Sequence, residues 1–314
     1  MIQHIILVLE GGGAKGPTQI AEISVIEDQL KTLMSDMVDA VVTTSIGSVE
    51  ASFCLIGDKP IIEFWKILEP NMKQIFSPEH WWSLPRYKFK NYVDLYEKYL
   101  GNNVKFGDAK TKLVTTTVGM TDGKNHFYKS WHEKDKNFKI TDIVCKSFAA
   151  PFFFGGIIDK VEKEVFLDGG TGFCNLPLIE AYCEAVANGW LAEGHSTHIL
   201  ALGAGSQDYT LSFKQCSKGN VIFKTIREVK RFFTSATGGL ARLQSVMYQV
   251  NTIDYLTKFL PNLSCQYTNW DKMPKKLDKI DNWKARNIYF NKGLELGKSI
   301  DVQPFINKLK NVNK

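Results

Sequence analysis

Arginine is scarce in this 314-residue chain: five of its 39 Lys and Arg residues are Arg, at positions 86, 227, 231, 242 and 286. Nucleic-acid grooves and bidentate phosphate clamps draw on the planar guanidinium fork, so a formal charge of +6 carried almost wholly by Lys argues for no nucleic-acid partner. Cysteine is thinly spread, at Cys54, Cys145, Cys174, Cys183, Cys216 and Cys265 with no C-x-x-C pair, which speaks against a zinc ribbon, a thioredoxin motif and a disulfide framework. No stretch offers the roughly 18 consecutive apolar residues of a membrane span. No basic segment precedes the first apolar run, so the expectation is no secretory signal and a cytoplasmic location. Low-complexity and single-charge blocks are missing too. With 44% hydrophobic and 23% charged residues, the chain has ample material for a packed core.

What is present alternates strand and helix. Residues 4–9 are a short apolar, β-branched run ending at a glycine cluster, and Pro17 opens a helix reaching Leu33. A second strand is expected at 39–44, a tight turn at Ser45 to Gly47, and a helix from Val49 to Ile56. Residues 58–108 read as an irregular, aromatic-rich stretch. Further strands are expected at 112–118, 126–129, 164–167 and 197–202, and helices at 140–149, Pro177 to Ala187, 219–259 and 290–312. Such βαβα order implies a parallel sheet covered by helices. The division expected is a catalytic core over 1–206 and a mostly helical extension over 207–314 packed on the same domain.

Three motifs fall at strand ends, where doubly wound sheets bind their ligands. The first, Gly11-Gly12-Gly13-Ala14-Lys15-Gly16, can aim backbone N–H groups at an anion. It is no P-loop, because Lys15 precedes Gly16 and Pro17-Thr18 follow. A dinucleotide site would want an acidic residue at the end of the second strand, which ends in Thr43-Thr44 instead. The second motif, Thr43-Thr44-Ser45-Ile46-Gly47, has the context of a nucleophile elbow, although a serine at such a turn is also an ordinary helix N-cap. The third, Asp168-Gly169-Gly170, sets a carboxylate beside two glycines, and is also what a plain Asp-Gly turn looks like. A Ser45, Asp168, His195 or His198 triad is topologically strained, since only one strand precedes the strand that ends at Ser45.

In this order the motifs resemble the patatin-like phospholipase family. Thr44-Ser45-Ile46-Gly47-Ser48 is similar to its nucleophile segment, and Ser147-Phe148-Ala149-Ala150-Pro151-Phe152-Phe153 to its A-x-P-x-F segment. Asn175-Leu176-Pro177 and Leu202-Gly203-Ala204-Gly205 match later signatures. The likeness covers about residues 5–206. It implies a three-layer α/β/α sandwich with a mostly parallel sheet, and a lipid acyl hydrolase of the phospholipase A or lysophospholipase type. Its Ser45–Asp168 dyad would act without metal or cofactor on a phospholipid or other acyl ester. Gly12 and Gly13 would hold the oxyanion in a loop shaped by Gly11 and Lys15. Thr43 stands where the family usually has Gly, and Lys15 where it has Arg or Lys. An acyltransferase using the same dyad and a weakly catalytic lipid- or partner-binding protein are the alternatives. The Trp-, Tyr- and Lys-rich stretch from Phe64 to Tyr99 suits a peripheral membrane contact, a lid over an acyl pocket, or simply core.

Overall fold

The computed structural model describes residues 1–78, 85–172, 174–205, 239–271, 273–274 and 276–312, of which 239–244 and 312 are described by backbone alone. The described strands are β1 (Ile2–Leu9), β2 (Ala40–Thr44), β3 (Lys112–Gly119), β4 (Asn125–Lys129), β5 (Ile157–Asp159), β6 (Glu164–Asp168), β7 (His195–Leu202) and β8 (Leu263–Thr268). The described helices are α1 (Pro17–Leu30), α2 (Met34–Met37), α3 (Ile46–Ile56), α4 (Ile61–Ile75), α5 (Phe89–Leu100), α6 (Ile140–Ser147), α7 (Leu178–Ala187), α8 (Gly239–Thr257), α9 (Arg286–Gly297) and α10 (Gln303–Val312).

These strands form one sheet in the order β5-β6-β3-β2-β1-β7-β8, with β4 also paired to β3. β3, β2, β1, β7 and β8 run parallel. The two-residue period of β1 splits the core: Ile5, Leu7 and Leu9 face one helical layer with α1, α3, α4, α5 and α6, while Ile6 and Val8 face the other with α7 and α8. β2 is buried throughout and β1 from Ile5 to Leu9, which explains why both read as unbroken apolar or β-branched runs. The architecture is a three-layer α/β/α sandwich with a helical C-terminal region.

The structure corrects the sequence reading in three places. Residues 58–108 are not irregular: Phe64, Leu68, Met72 and Ile75 lie on the buried face of α4, and Tyr92, Leu95 and Tyr96 on that of α5. The strand ending at Asp168 is antiparallel to its neighbour β3, not parallel. The C-terminal region is not only helical, because β8 extends the sheet beside β7. The expected boundary at 206/207, the start of the helix at 219, His80, Trp81, Trp82, Cys216 and the basic run Lys224 to Arg231 lie outside the described residues.

The antiparallel sense of β6 is what builds the site. β2 pairs β3 up to Thr44↔Thr116, and β6 takes over from Thr117↔Asp168. β4 already pairs β3 over Val114 to Val118, so β2 and β6 must share the other edge of β3. The two strands therefore meet end to end, and Asp168 follows Thr44 along that edge, next to Ser45.

Candidate active site

Ser45 closes β2 with φ 56° and ψ −122°, a conformation rare for a residue with a side chain. That strain is characteristic of an elbow that lifts a side chain out of a sheet. Gly47 makes the turn possible: a Cβ there would lie 2.6 Å from Leu9 Cβ and 2.8 Å from the Leu9 carbonyl oxygen. The Ser45 hydroxyl does not cap α3. It donates instead to Asp168 Oδ2 at 2.6 Å, with both residues buried. Asp168 Oδ1 accepts from the Gly170 amide at 2.7 Å, so one carboxylate oxygen makes the expected Asp-Gly turn and the other meets the serine.

The glycine loop lies alongside. Gly13 lines the same cavity as Ser45 and Asp168, and its φ of +59° is one that side chains resist. Gly11 donates its amide to the Asn175 carbonyl at 2.9 Å, and Ala14 donates to the Ile280 carbonyl at 2.7 Å. Among the described residues the amides of Gly12 and Gly13 have no acceptor. Gly11 and Lys15 hold the loop rather than donate into the cavity. Lys15 is buried, and its Nζ donates to the Gly205 carbonyl at 2.9 Å and to Asp278 Oδ1 at 2.8 Å.

Residues the sequence reading left without a role complete this frame. Asn175 Nδ2 donates to Glu10 Oε1 at 2.8 Å, and Glu10 Oε2 accepts from the Ala204 amide at 2.9 Å, tying the loop to the ends of two other segments. The signal was there in a carboxylate directly before three glycines. The described part of the segment from residue 273 to Arg286 crosses the glycine loop, with Ile280 against Gly13 and Asp281 accepting from Tyr87 at 2.8 Å and Arg86 at 3.2 Å.

The cavity's walls are almost wholly apolar, with Leu68, Met72 and Ile75 from α4, Tyr92 from α5, and Phe148 and Phe154 from the segment after α6. The described aromatics between Phe64 and Tyr99 therefore belong mainly to the core and the cavity wall. His195 and His198 do not approach Ser45: β7 begins at His195, at the edge opposite the carboxyl ends of the parallel strands. Burial holds the His198 imidazole down to about 4, and its Nδ1 pairs with the Ser264 hydroxyl.

Residues 7–182 match the family model described as patatin-like phospholipase. The chain belongs to the patatin-like phospholipase family. Two relatives named cGAMP-activated phospholipase, from Escherichia coli (strain TW11681) and Vibrio cholerae serotype O1 (strain ATCC 39315 / El Tor Inaba N16961), are 27% identical over 236 residues and 26% identical over 234. The matches cover 68% and 66% of this chain but only 65% and 66% of those relatives. Among solved structures, VipD from Legionella pneumophila is similar with a TM-score of 0.47 at 13% identity, over 98% of this chain and 67% of that one. ExoU in its complex with SpcU, from Pseudomonas aeruginosa, gives 0.40 at 14% identity, over 94% and 52%. In this patatin-like chain Thr43, the departure at the elbow, is fully buried, and its hydroxyl donates to the Val114 carbonyl at 3.1 Å.

Proposed function

We propose that this chain hydrolyses carboxylic esters of lipids through a Ser45–Asp168 dyad and a covalent acyl-enzyme. The observation that carries the reading is the 2.6 Å hydrogen bond from Ser45 Oγ to Asp168 Oδ2, inside a cavity walled by apolar side chains. In the first half-reaction Ser45 Oγ attacks the ester carbonyl carbon while its proton passes to the Asp168 carboxylate. The oxyanion is held by the free amides of Gly12 and Gly13, each such donor lowering the barrier by roughly 3 kcal/mol. Collapse breaks the ester C–O bond, and Asp168 returns the proton to the leaving alcohol. Water then attacks the acyl-enzyme, Asp168 takes its proton, and the acid leaves as Ser45 recovers its hydrogen.

A carboxylate is a feeble base at neutral pH, so the reading leans on positioning and the oxyanion donors, and it selects esters over amides. An acyl chain suits the apolar wall of α4, α5 and the Phe148–Phe154 segment. The names of the two relatives make a cyclic dinucleotide the activator to include in the assay.

The test is turnover of a short p-nitrophenyl ester and of phospholipid vesicles, with and without chelator and with and without cGAMP. The reading expects chelator-resistant hydrolysis that disappears in Ser45→Ala and Asp168→Asn. Activity surviving either substitution rejects the dyad, and transfer of the acyl group to added alcohol in place of water makes the chain an acyltransferase. A folded chain whose Ser45 resists a fluorophosphonate is a binding protein instead.

A further inference from the structure

Behind the elbow runs a line of buried hydroxyl groups. The Ser45 amide donates to Ser147 Oγ at 2.9 Å; Ser147 Oγ lies 2.9 Å from Ser48 Oγ; Ser48 Oγ lies 3.0 Å from Thr43 Oγ1; and Thr43 Oγ1 reaches the Val114 carbonyl at 3.1 Å. The two ends fix its polarity. An amide N–H can only donate and a carbonyl can only accept, and each hydroxyl has one proton. All four bonds form together in one arrangement only: Ser45 N–H to Ser147, Ser147 to Ser48, Ser48 to Thr43, Thr43 to Val114. Ser48, Ser147 and Thr43 are inaccessible to solvent, so no water competes for these protons. The Thr115 hydroxyl lies 3.3 Å from Thr43 Oγ1, within reach of its remaining lone pair.

We infer that Thr43 and Ser147 are positioning residues for the nucleophile, acting through this one-way chain on the Ser45 backbone. Three observations carry the inference. The chain ends on the amide of the very residue held at positive φ, where an unsupported backbone relaxes. Hydrogen bonds in series polarise one another, so the anchor on β3 is felt at Ser45. And a glycine at 43, usual in the family, would leave the Ser48 hydroxyl without its acceptor, so Thr43 is part of how this particular chain holds its elbow. Ser147 is also the last residue of α6, directly before Phe148 of the cavity wall, which links the nucleophile backbone to the surface expected to touch the acyl chain.

The inference rests on the hydrolase reading, and one experiment separates the two. Ester turnover is measured per active site, with sites counted by fluorophosphonate labelling, for the wild type, Thr43→Val, Thr43→Ser, Ser147→Ala and the Thr43→Val/Ser147→Ala double variant. The expected result is that Thr43→Val and Ser147→Ala each lower kcat about tenfold while KM moves less than about twofold. Thr43→Ser, which restores the hydroxyl, keeps about half of the wild-type kcat or more, and the double variant is no slower than Ser147→Ala, as links in series require. A merely structural role would lower the number of labelled sites and the melting temperature but not the turnover of each site. Wild-type kcat in Thr43→Val, equal damage in Thr43→Ser, or additive losses in the double variant would overturn the inference. Should Ser147→Ala not fold, the Val and Ser variants at 43 decide alone. A wild type that neither labels nor turns over removes the hydrolase reading itself.

Discussion

Two strand-turn-helix connections meet at the same edge of the sheet, and they are held in opposite ways. The elbow between β2 and α3 is secured from behind by backbone packing and hydroxyls, through Gly47 against Leu9 and the line from Ser45 through Ser147, Ser48 and Thr43 to Val114. The glycine loop between β1 and α1 is secured from far along the chain, by Asn175, Ala204, Asp278 and Ile280. The difference follows from what each must do. An elbow carries a strained residue that can be stiffened from behind by small polar side chains. On the proposed mechanism the glycine loop must leave two amides free, and its remaining groups need partners that its own short sequence cannot supply.

The sharpest break of that comparison comes at Asp168, the proposed proton acceptor. Asp168→Asn should lower kcat/KM for a p-nitrophenyl ester by about 10³-fold, because the amide cannot take the serine proton; stopped assays on the purified variant measure it. Next is the distant tie of the loop. Lys15→Met removes the buried ammonium that holds Asp278 Oδ1 and the Gly205 carbonyl and should destabilise the fold by about 3 kcal/mol in urea titration. Gly47→Ala tests the packing behind the elbow, and pushing a methyl group into Leu9 should cost about 2 kcal/mol in the same titration.

A smaller effect concerns the ground beneath the loop. Burial pushes the Glu22 carboxyl up to about 8, and Glu50, against Gly16, is raised well above the usual range by its own burial and then by Glu22. Neither Glu50 oxygen has a hydrogen-bond partner among the described residues. In the folded chain Glu22 keeps its proton up to about pH 8, whereas unfolded it releases it near 4.5. Between those values the folded state binds more protons, so stability is full below the lower one and is lost as pH rises through the higher one. Melting temperature should therefore fall by several degrees between pH 5 and pH 8, and Glu22→Gln should flatten that slope. The smallest effect is the control: Lys90→Ala removes an exposed pair with Asp94 and should change stability by less than about 0.5 kcal/mol.

The same contrast governs what could be read from the sequence. The elbow and the glycine cluster announced themselves, because a β-branched run, small turn residues and an apolar helix face are local signals. Asp168 was legible as Asp-Gly-Gly, but the antiparallel sense of β6, which brings it to Ser45, is decided by pairing with β3 and leaves no mark on five residues. The helices α4 and α5 were hidden because Lys and aromatic residues crowd their sequences and Pro70 sits inside α4. β8 was missed because an edge strand reading Leu-Ser-Cys-Gln-Tyr-Thr is half polar. The ties of Lys15 to Asp278 and of Ala14 to Ile280 span more than 260 residues, beyond any local pattern.

The most direct test of the central claim is fluorophosphonate labelling of the native chain followed by peptide mapping. The account predicts a single adduct on the Ser45 hydroxyl, formed in the wild type and strongly slowed in Asp168→Asn. An adduct on another residue, or a chain that turns over esters with Ser45 unmodified by the probe, would contradict it.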